Sequence, residues 1–235
     1  MRIIYYIFIL TIFVDANEYF AKLQPIETYN IKASTSGKVV FVNEKIKGLS
    51  ANNSIILKLD SKVDNIDLKQ TIKKLNVLSQ IIKIERNILN KFKSIRSKSQ
   101  FDKDNQKIKI FNLENKRSDL IIKKAILEDK INKKKFKEFN KYISNINVKV
   151  GDYVNPGAFL YTANNISKSK LEIYIPIEKA NLYKQKTIYI DDKKTKYTIS
   201  KLYKISDTKN LSSYKCEIIV DAPKQFSKLV KIEFK

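Results

Sequence analysis

Histidine and tryptophan are absent from this chain of 235 residues, and cysteine and methionine occur once each. Without histidine, a His-based metal site and a Ser-His-Asp triad cannot be assembled. A single cysteine rules out a zinc ribbon, and no Cys-His dyad can form. Glycine and proline number four each, where ordinary usage of roughly 7% and 5% gives about 16 and 12. Glycines so few and so placed build no Gly-rich phosphate loop. Acidic residues are also scarce: 24 Asp+Glu face 47 Lys+Arg, a net charge of +23. That excess calls for an anionic partner or for a surface basic throughout. With 30% charged and 43% hydrophobic residues, the chain has the composition of a folding protein and not of a disordered tail. The familiar catalytic constellations are out of reach, so a non-enzymatic role is expected, with no cofactor.

Residues 3–14 (IIYYIFILTIFV) are uncharged and follow Arg2. As a helix they reach about 18 Å, short of a hydrocarbon core of roughly 30 Å. Val14-Asp15-Ala16 has the small-x-small pattern of signal peptidase sites. A signal peptide over 1–16 and a mature start at Asn17 are expected, with export to the periplasm. A buried N-terminal strand or helix and an uncleaved anchor are the alternatives. No cysteine follows the run, which excludes a lipoprotein anchor. Cys216, in the strand-like run YKCEIIV, reads as a small core residue.

Between Leu49 and Val150 there is neither glycine nor proline. A hundred residues without a breaker argue for long helices. Leu68, Ile72, Leu75, Leu78, Ile82, Leu89 and Phe92 keep three-four spacing in a first arm. In a second arm Ile110, Leu113, Leu120, Leu127 and Ile131 do so, with Arg117 and Lys124 in the remaining slots. The pattern lapses over 94–106, which suits a turn. An antiparallel helical hairpin over 62–135 follows, in preference to a bundle of shorter helices.

The flanks of this segment repeat. Gly48, Ala51, Ser54 and Leu57 stand in register with Gly151, Val154, Gly157 and Leu160. Each set follows a strand-like run, at 39–42 and 146–150. Neither half buries an apolar face alone, so the two must meet in space.

With Ser36-Gly37-Lys38-Val39-Val40 opening the first half and Gly151-Asp152-Tyr153-Val154-Asn155-Pro156-Gly157 in the second, the chain resembles the periplasmic adaptor subunits, or membrane fusion proteins, of the HlyD/AcrA type. The resemblance implies an α+β multidomain fold: a biotinyl/lipoyl-like β-sandwich split by an α-helical coiled-coil hairpin and followed by a small β-barrel. Its divisions would be 17–61 for an N-terminal strand and first half, 62–135 for the hairpin, 136–166 for the second half and 167–235 for the barrel. The run 171–178 resembles the opening barrel strand, with further strands expected at 186–190, 197–205, 214–220 and 229–234. Gly37, Gly48, Gly151 and Gly157 would be structural turns. No lipoyl attachment is expected, because the hairpin replaces the lysine-bearing tip. Asn140-Lys141 stand where the second half usually has a glycine.

In this family the hairpin tip engages a TolC-type outer-membrane channel, through a motif of Arg, Leu four residues later and Ser eleven later. Here Arg86 and Ser97 match and Asn90 holds the leucine position. Ser97 or Ser99 suits the cap of the return helix, and Asp102 continues the likeness. The partners implied are an inner-membrane transporter, of the resistance-nodulation-division (RND) type before the ATP-binding-cassette (ABC) type, and a TolC-type channel. A homo-oligomeric ring is expected, with six subunits as the candidate number. The function implied is efflux of drugs or other small molecules, including antibiotic resistance. An ABC exporter or type I secretion adaptor is the first alternative. A secreted basic coiled coil binding anionic surfaces is the second: residues 62–135 hold 21 Lys+Arg against 9 Asp+Glu. No nucleic acid is expected, because the basic residues form no stripe with interleaved aromatics. Asp191-Asp192 reads as a turn, not a catalytic pair.

Overall fold

The computed structural model describes residues 18–235, so the expected signal segment lies outside the described residues. The described chain forms two units, Tyr29–Ala163 and a second built from 18–28 with 164–235. It opens with strands β1 (Glu18–Lys22) and β2 (Gln24–Lys32).

In the unit Tyr29–Ala163, β3 (Gly37–Val42), β4 (Ser50–Ala51) and β5 (Ser54–Leu59) precede two helices, α1 (Lys62–Ser94) and α2 (Gln100–Asn132). Strands β6 (Lys135–Glu138), β7 (Lys141–Ile146), β8 (Tyr153–Val154) and the start of β9 (Phe159–Pro176) follow. The strands before and after the helices exchange partners. β3 pairs with β8, setting Gly37 opposite Val154, and β7 pairs with β4, setting Tyr142 opposite Ser50. One core results, in which Ala51 and Leu57 from the first half meet Val154 and Leu160 from the second. The repeated apolar positions of the sequence are thus the positions that lock the halves together. Each half lacks its pairing partners without the other, and unpaired buried backbone is costly.

Gly151 has φ +103° and Gly157 φ +87°, conformations that L side chains resist. In the first half the equivalent turn is made by Asn53 at φ +58°, one position before the register would place it. Asn140, at φ +51°, supplies the left-handed residue where glycine was expected. Asparagine tolerates this region better than other side-chain-bearing residues. Gly37 has a different reason to be glycine: an added Cβ would lie 3.3 Å from the Leu59 Cβ. The strand expected at 146–150 ends at Ile146. Its remainder is a loop in which the Lys149 amide donates to the Asp152 carboxylate at 2.8 Å, preparing the turn at Gly151.

In the second unit β9 leads into a 3-10 turn (Ile177–Lys179) and α3 (Ala180–Tyr183). After them come β10 (Ile188–Ile190), β11 (Lys193–Lys194), β12 (Lys201–Leu202), β13 (Ser213–Asp221) and β14 (Leu229–Phe234). One sheet has the order β1-β14-β10-β11; β13 lies beside β9, with β12 on its far side. Leu171, Ile173 and Ile175 alternate inward on β9 and share a core with Ile218 and Ile232. Tyr183 stacks on Phe234 at 4.6 Å. Residues 18–22, grouped by sequence with the first half, join this unit instead: Ala21 pairs with Val230 and is buried in its core. Of the strand expected at 197–205 only Lys201–Leu202 joins a ladder.

Asp191 and Asp192 have φ +48° and +65° and connect Ile190 to its partner Lys193, a two-residue turn of the hairpin-forming kind. Asp191 accepts from Lys228 Nζ at 2.7 Å and from the Lys231 amide at 3.0 Å. Asp192 accepts from Lys231 Nζ at 2.6 Å. These carboxylates brace a turn.

Cys216 is fully buried in this core, and burial, with Glu217 adding to it, pushes its thiol up to about 12. The thiolate is the reactive form, so native protein should not react with a thiol-specific disulfide reagent at about pH 8 within the time that guanidinium-unfolded protein reacts completely. Rapid labelling of the native chain would show the core to be open.

Candidate functional site

Helices α1 and α2 each have 33 residues and extend about 50 Å at 1.5 Å per residue. They run antiparallel: Asp64 meets Lys134, Ser79 meets Arg117, and Glu85 meets Gln106. Their shared seam follows alternating three and four spacing, from 64 to 92 on α1 and from 106 to 134 through and beyond α2. Every seam position except Arg117 is buried or half-buried. Thr71, 2% exposed, occupies the slot that the apolar pattern gave to Ile72, which is 37% exposed. A strict spacing decides which residue faces inward, even where its neighbour is more apolar.

Polar layers interrupt this seam. At its base Asp64 accepts from Lys134 at 2.5 Å and pairs with Lys130 at 2.8 Å. Burial pushes the Asp64 carboxyl up, but the two lysines outweigh it and hold it below the usual carboxylate range. Nearer the turn, Gln106 Nε2 donates to the Glu85 carboxylate at 2.7 Å and to its backbone carbonyl at 3.0 Å. Lys109 reaches Glu85 at 2.7 Å. Lys109 and then Gln106 lower the Glu85 carboxyl. A slip of either helix would set these carboxylates against leucines, so the layers fix the register of the hairpin. Sequence reading by apolar residues missed this set; continuing the three-four count through polar positions finds it.

The turn occupies 95–99, shorter than the polar stretch 94–106 suggested, because α2 starts at Gln100. Ser99 is its cap: its Oγ accepts from the Asp102 amide at 3.1 Å. Asp102 also lies 3.9 Å from Lys98, and Lys98 stands over the Phe92 ring at 4.7 Å. Ser97 is exposed in the turn. Arg86 and Asn90 lie one helical turn apart and line a groove with Asn87, Glu114, Arg117 and Ser118. Arg86 donates to Glu114 across the hairpin; the two side chains are 62% and 36% exposed. The structure therefore assembles two small sets, Ser99 with Asp102 at the turn and Arg86 with Asn90 below it, Asn90 about 6 Å and Arg86 about 12 Å of helix before the end of α1. No group of three metal-type side chains occurs among the described residues. None of their helices is long and apolar enough to cross a membrane.

No family model and no curated protein sequence matches the chain. Solved structures do. MacA from Actinobacillus actinomycetemcomitans aligns over 94% of this chain and 78% of its own, with 14% identity and a TM-score of 0.73. The membrane fusion protein Spr0693 from Streptococcus pneumoniae R6 aligns over 93% of this chain and 98% of its own, with 12% identity and a TM-score of 0.71. A MacA-MexA chimera carrying the Pseudomonas aeruginosa MexA α-hairpin domain gives 13% identity, 94% and 81% coverage and a TM-score of 0.69. The chain has the fold of the membrane fusion proteins.

Proposed function

We propose that this chain is a periplasmic adaptor, joining an inner-membrane transporter to a TolC-type outer-membrane channel and performing no chemistry itself. One observation carries the reading: two 33-residue helices are inserted between the paired strands β5 and β6. Such an insertion extends a contact surface about 50 Å from its β unit while leaving that unit's core intact. The fold shared with membrane fusion proteins supports it. In this reading the interlocked strands are the lipoyl-like domain, the helices its coiled-coil hairpin and the second unit the barrel, arranged side by side in a ring. The transporter is of the RND type, with an ABC exporter as the other candidate, and the cargo is a drug or other small molecule.

Crosslinked membranes from the native host provide the test. Affinity capture should recover one inner-membrane transporter together with one outer-membrane channel, and the transporter recovered identifies its class. Recovery of neither, with the chain bound to anionic surface polymer instead, would overturn the reading.

Arg86 is the residue whose role at the channel is most open to test. Its pair with Glu114 is exposed at both ends and is worth about 0–1 kcal/mol, so Arg86→Asp should leave folding nearly unchanged. If its guanidinium meets channel acceptors, each subunit loses about 1.5–3 kcal/mol, repeated around the ring. Drug resistance should fall in R86D and persist in K193D, a change of equal charge on β11. The swap Arg86→Glu with Glu114→Arg restores the internal pair but moves the cation. Full resistance in the swapped variant would assign Arg86 to hairpin cohesion alone.

A further inference from the structure

One end of the second unit gathers the terminus of β9, α3, the loop 203–212 and the start of β1. Pro176 pairs with Ser213, and the Ile177 amide donates to the Ser212 carbonyl at 3.2 Å. Tyr174 hydrogen-bonds to Asp207, which also accepts from the Lys209 and Asn210 amides at 2.9 and 2.7 Å. The loop is therefore held over the end of β9. The first strand begins here too, since the Tyr19 hydroxyl lies 3.3 Å from that of Tyr183.

Four large apolar side chains stand exposed at this end: Ile205 at 84%, Leu211 at 74%, Leu182 at 55% and Ile177 at 39%. Scattered singly they would need no explanation, but grouped on chain fixed by hydrogen bonds they mark a contact surface. Lys179, Lys184, Lys186, Lys204 and Lys209 lie in or beside these segments, against Glu18, Glu178 and Asp207. Apolar tips among ammonium groups match the boundary between acyl chains and anionic headgroups. Protein interfaces are depleted in lysine, and this rim is not.

We infer that this end docks on a bilayer surface carrying anionic headgroups, with Ile205 and Leu211 inserting among the lipids and the lysines on the headgroups. The inference goes beyond the adaptor reading and rests on this unit's own surface.

The test places single cysteines at Ile205, Leu211 and, as control, at the exposed Phe139 of the other unit, in the full chain. Buried Cys216 stays unlabelled. Each new thiol carries an environment-sensitive fluorophore, and circular dichroism checks the fold of each labelled protein. On vesicles of phosphatidylcholine with phosphatidylglycerol, emission at 205 and 211 should shift to the blue. A lipid-borne quencher should act there at least about threefold more strongly than at 139, whether or not residues 3–14 are retained. Lys204→Glu with Lys209→Glu should raise the lipid needed for half-saturation about tenfold or more, at roughly 1 kcal/mol for each lysine removed and more for its reversal. Probes at 205 and 211 that stay in water would overturn the inference. Equal insertion into pure phosphatidylcholine would overturn its anionic part. A shift seen only on adding purified transporter would assign the surface to a protein partner.

Discussion

Excising residues 60–133 and joining Leu59 to Lys134 through Asn-Gly should leave a folded, β-rich protein that confers no resistance. The geometry for closure already exists: the Leu59 amide donates to the Lys134 carbonyl at 2.8 Å, and Lys58 pairs with Lys135. Asn-Gly favours the two-residue turn that such a strand pair needs. The core of the interlocked halves is built without the helices, apart from contacts at their base. Far-ultraviolet circular dichroism should lose most helical signal and keep a cooperative thermal transition. The adaptor reading requires complete loss of channel capture at normal expression. A chain that is disordered after excision would remove the support for two halves forming one unit. A folded chain that still captures the channel would remove the docking role of the hairpin.

Asp64→Ala should destabilise the protein by about 3 kcal/mol in urea unfolding. Breaking a buried ion pair costs about 3–5 kcal/mol when the other charge stays inside. The side chains of Asp64 and Lys134 are 8% and 10% exposed, whereas Lys130 is 48% exposed and regains water easily, so the lower figure applies. The effect depends on pH. The folded carboxyl lies below its ordinary value, so its contribution is full above the unfolded pKa of about 3.9 and is lost as pH falls through the lower folded value. The wild-type advantage should therefore hold at neutral pH and shrink in acid below about pH 4. A gap between wild type and variant that stays constant down to pH 2 would show that the pair is not the cause.

The sequence carried the hairpin plainly, because helix length follows from missing breakers and the seam from spacing. It was less informative about which residues face inward. Apolarity pointed to Ile72, yet packing two straight helices requires Thr71, and the polar pairs Glu85–Gln106 and Asp64–Lys134 fill seam slots that an apolar count skips. The repeated glycine motif pointed to two meeting halves, but not to their exchange of strands, since pairing partners 117 residues apart, as Gly37 and Val154 are, leave no local trace. The N-terminal strand was harder still. Tyr19 and Ala21 join a strand more than 200 residues away, and only the assembled core shows why. At the tip, the Arg86 to Ser97 interval was visible, while the Glu114 that engages Arg86 lies on the other helix.

The base clasp between Asp64 and Lys134 also bears on how the chain folds. Pairing β5 with β6 closes a loop of about 75 residues, an entropic cost that grows with the logarithm of length. Helices form, and short turns close, in about a microsecond or less, so the two arms can zip from the capped turn at Ser99 before the strands meet. Once zipped to Asp64, they leave only a few residues of slack between Leu59 and Lys134. The remaining closure is then cheaper by roughly 2–3 kcal/mol. The arm that reaches outward in the finished protein thus serves, during folding, to bring two distant β halves into range of each other.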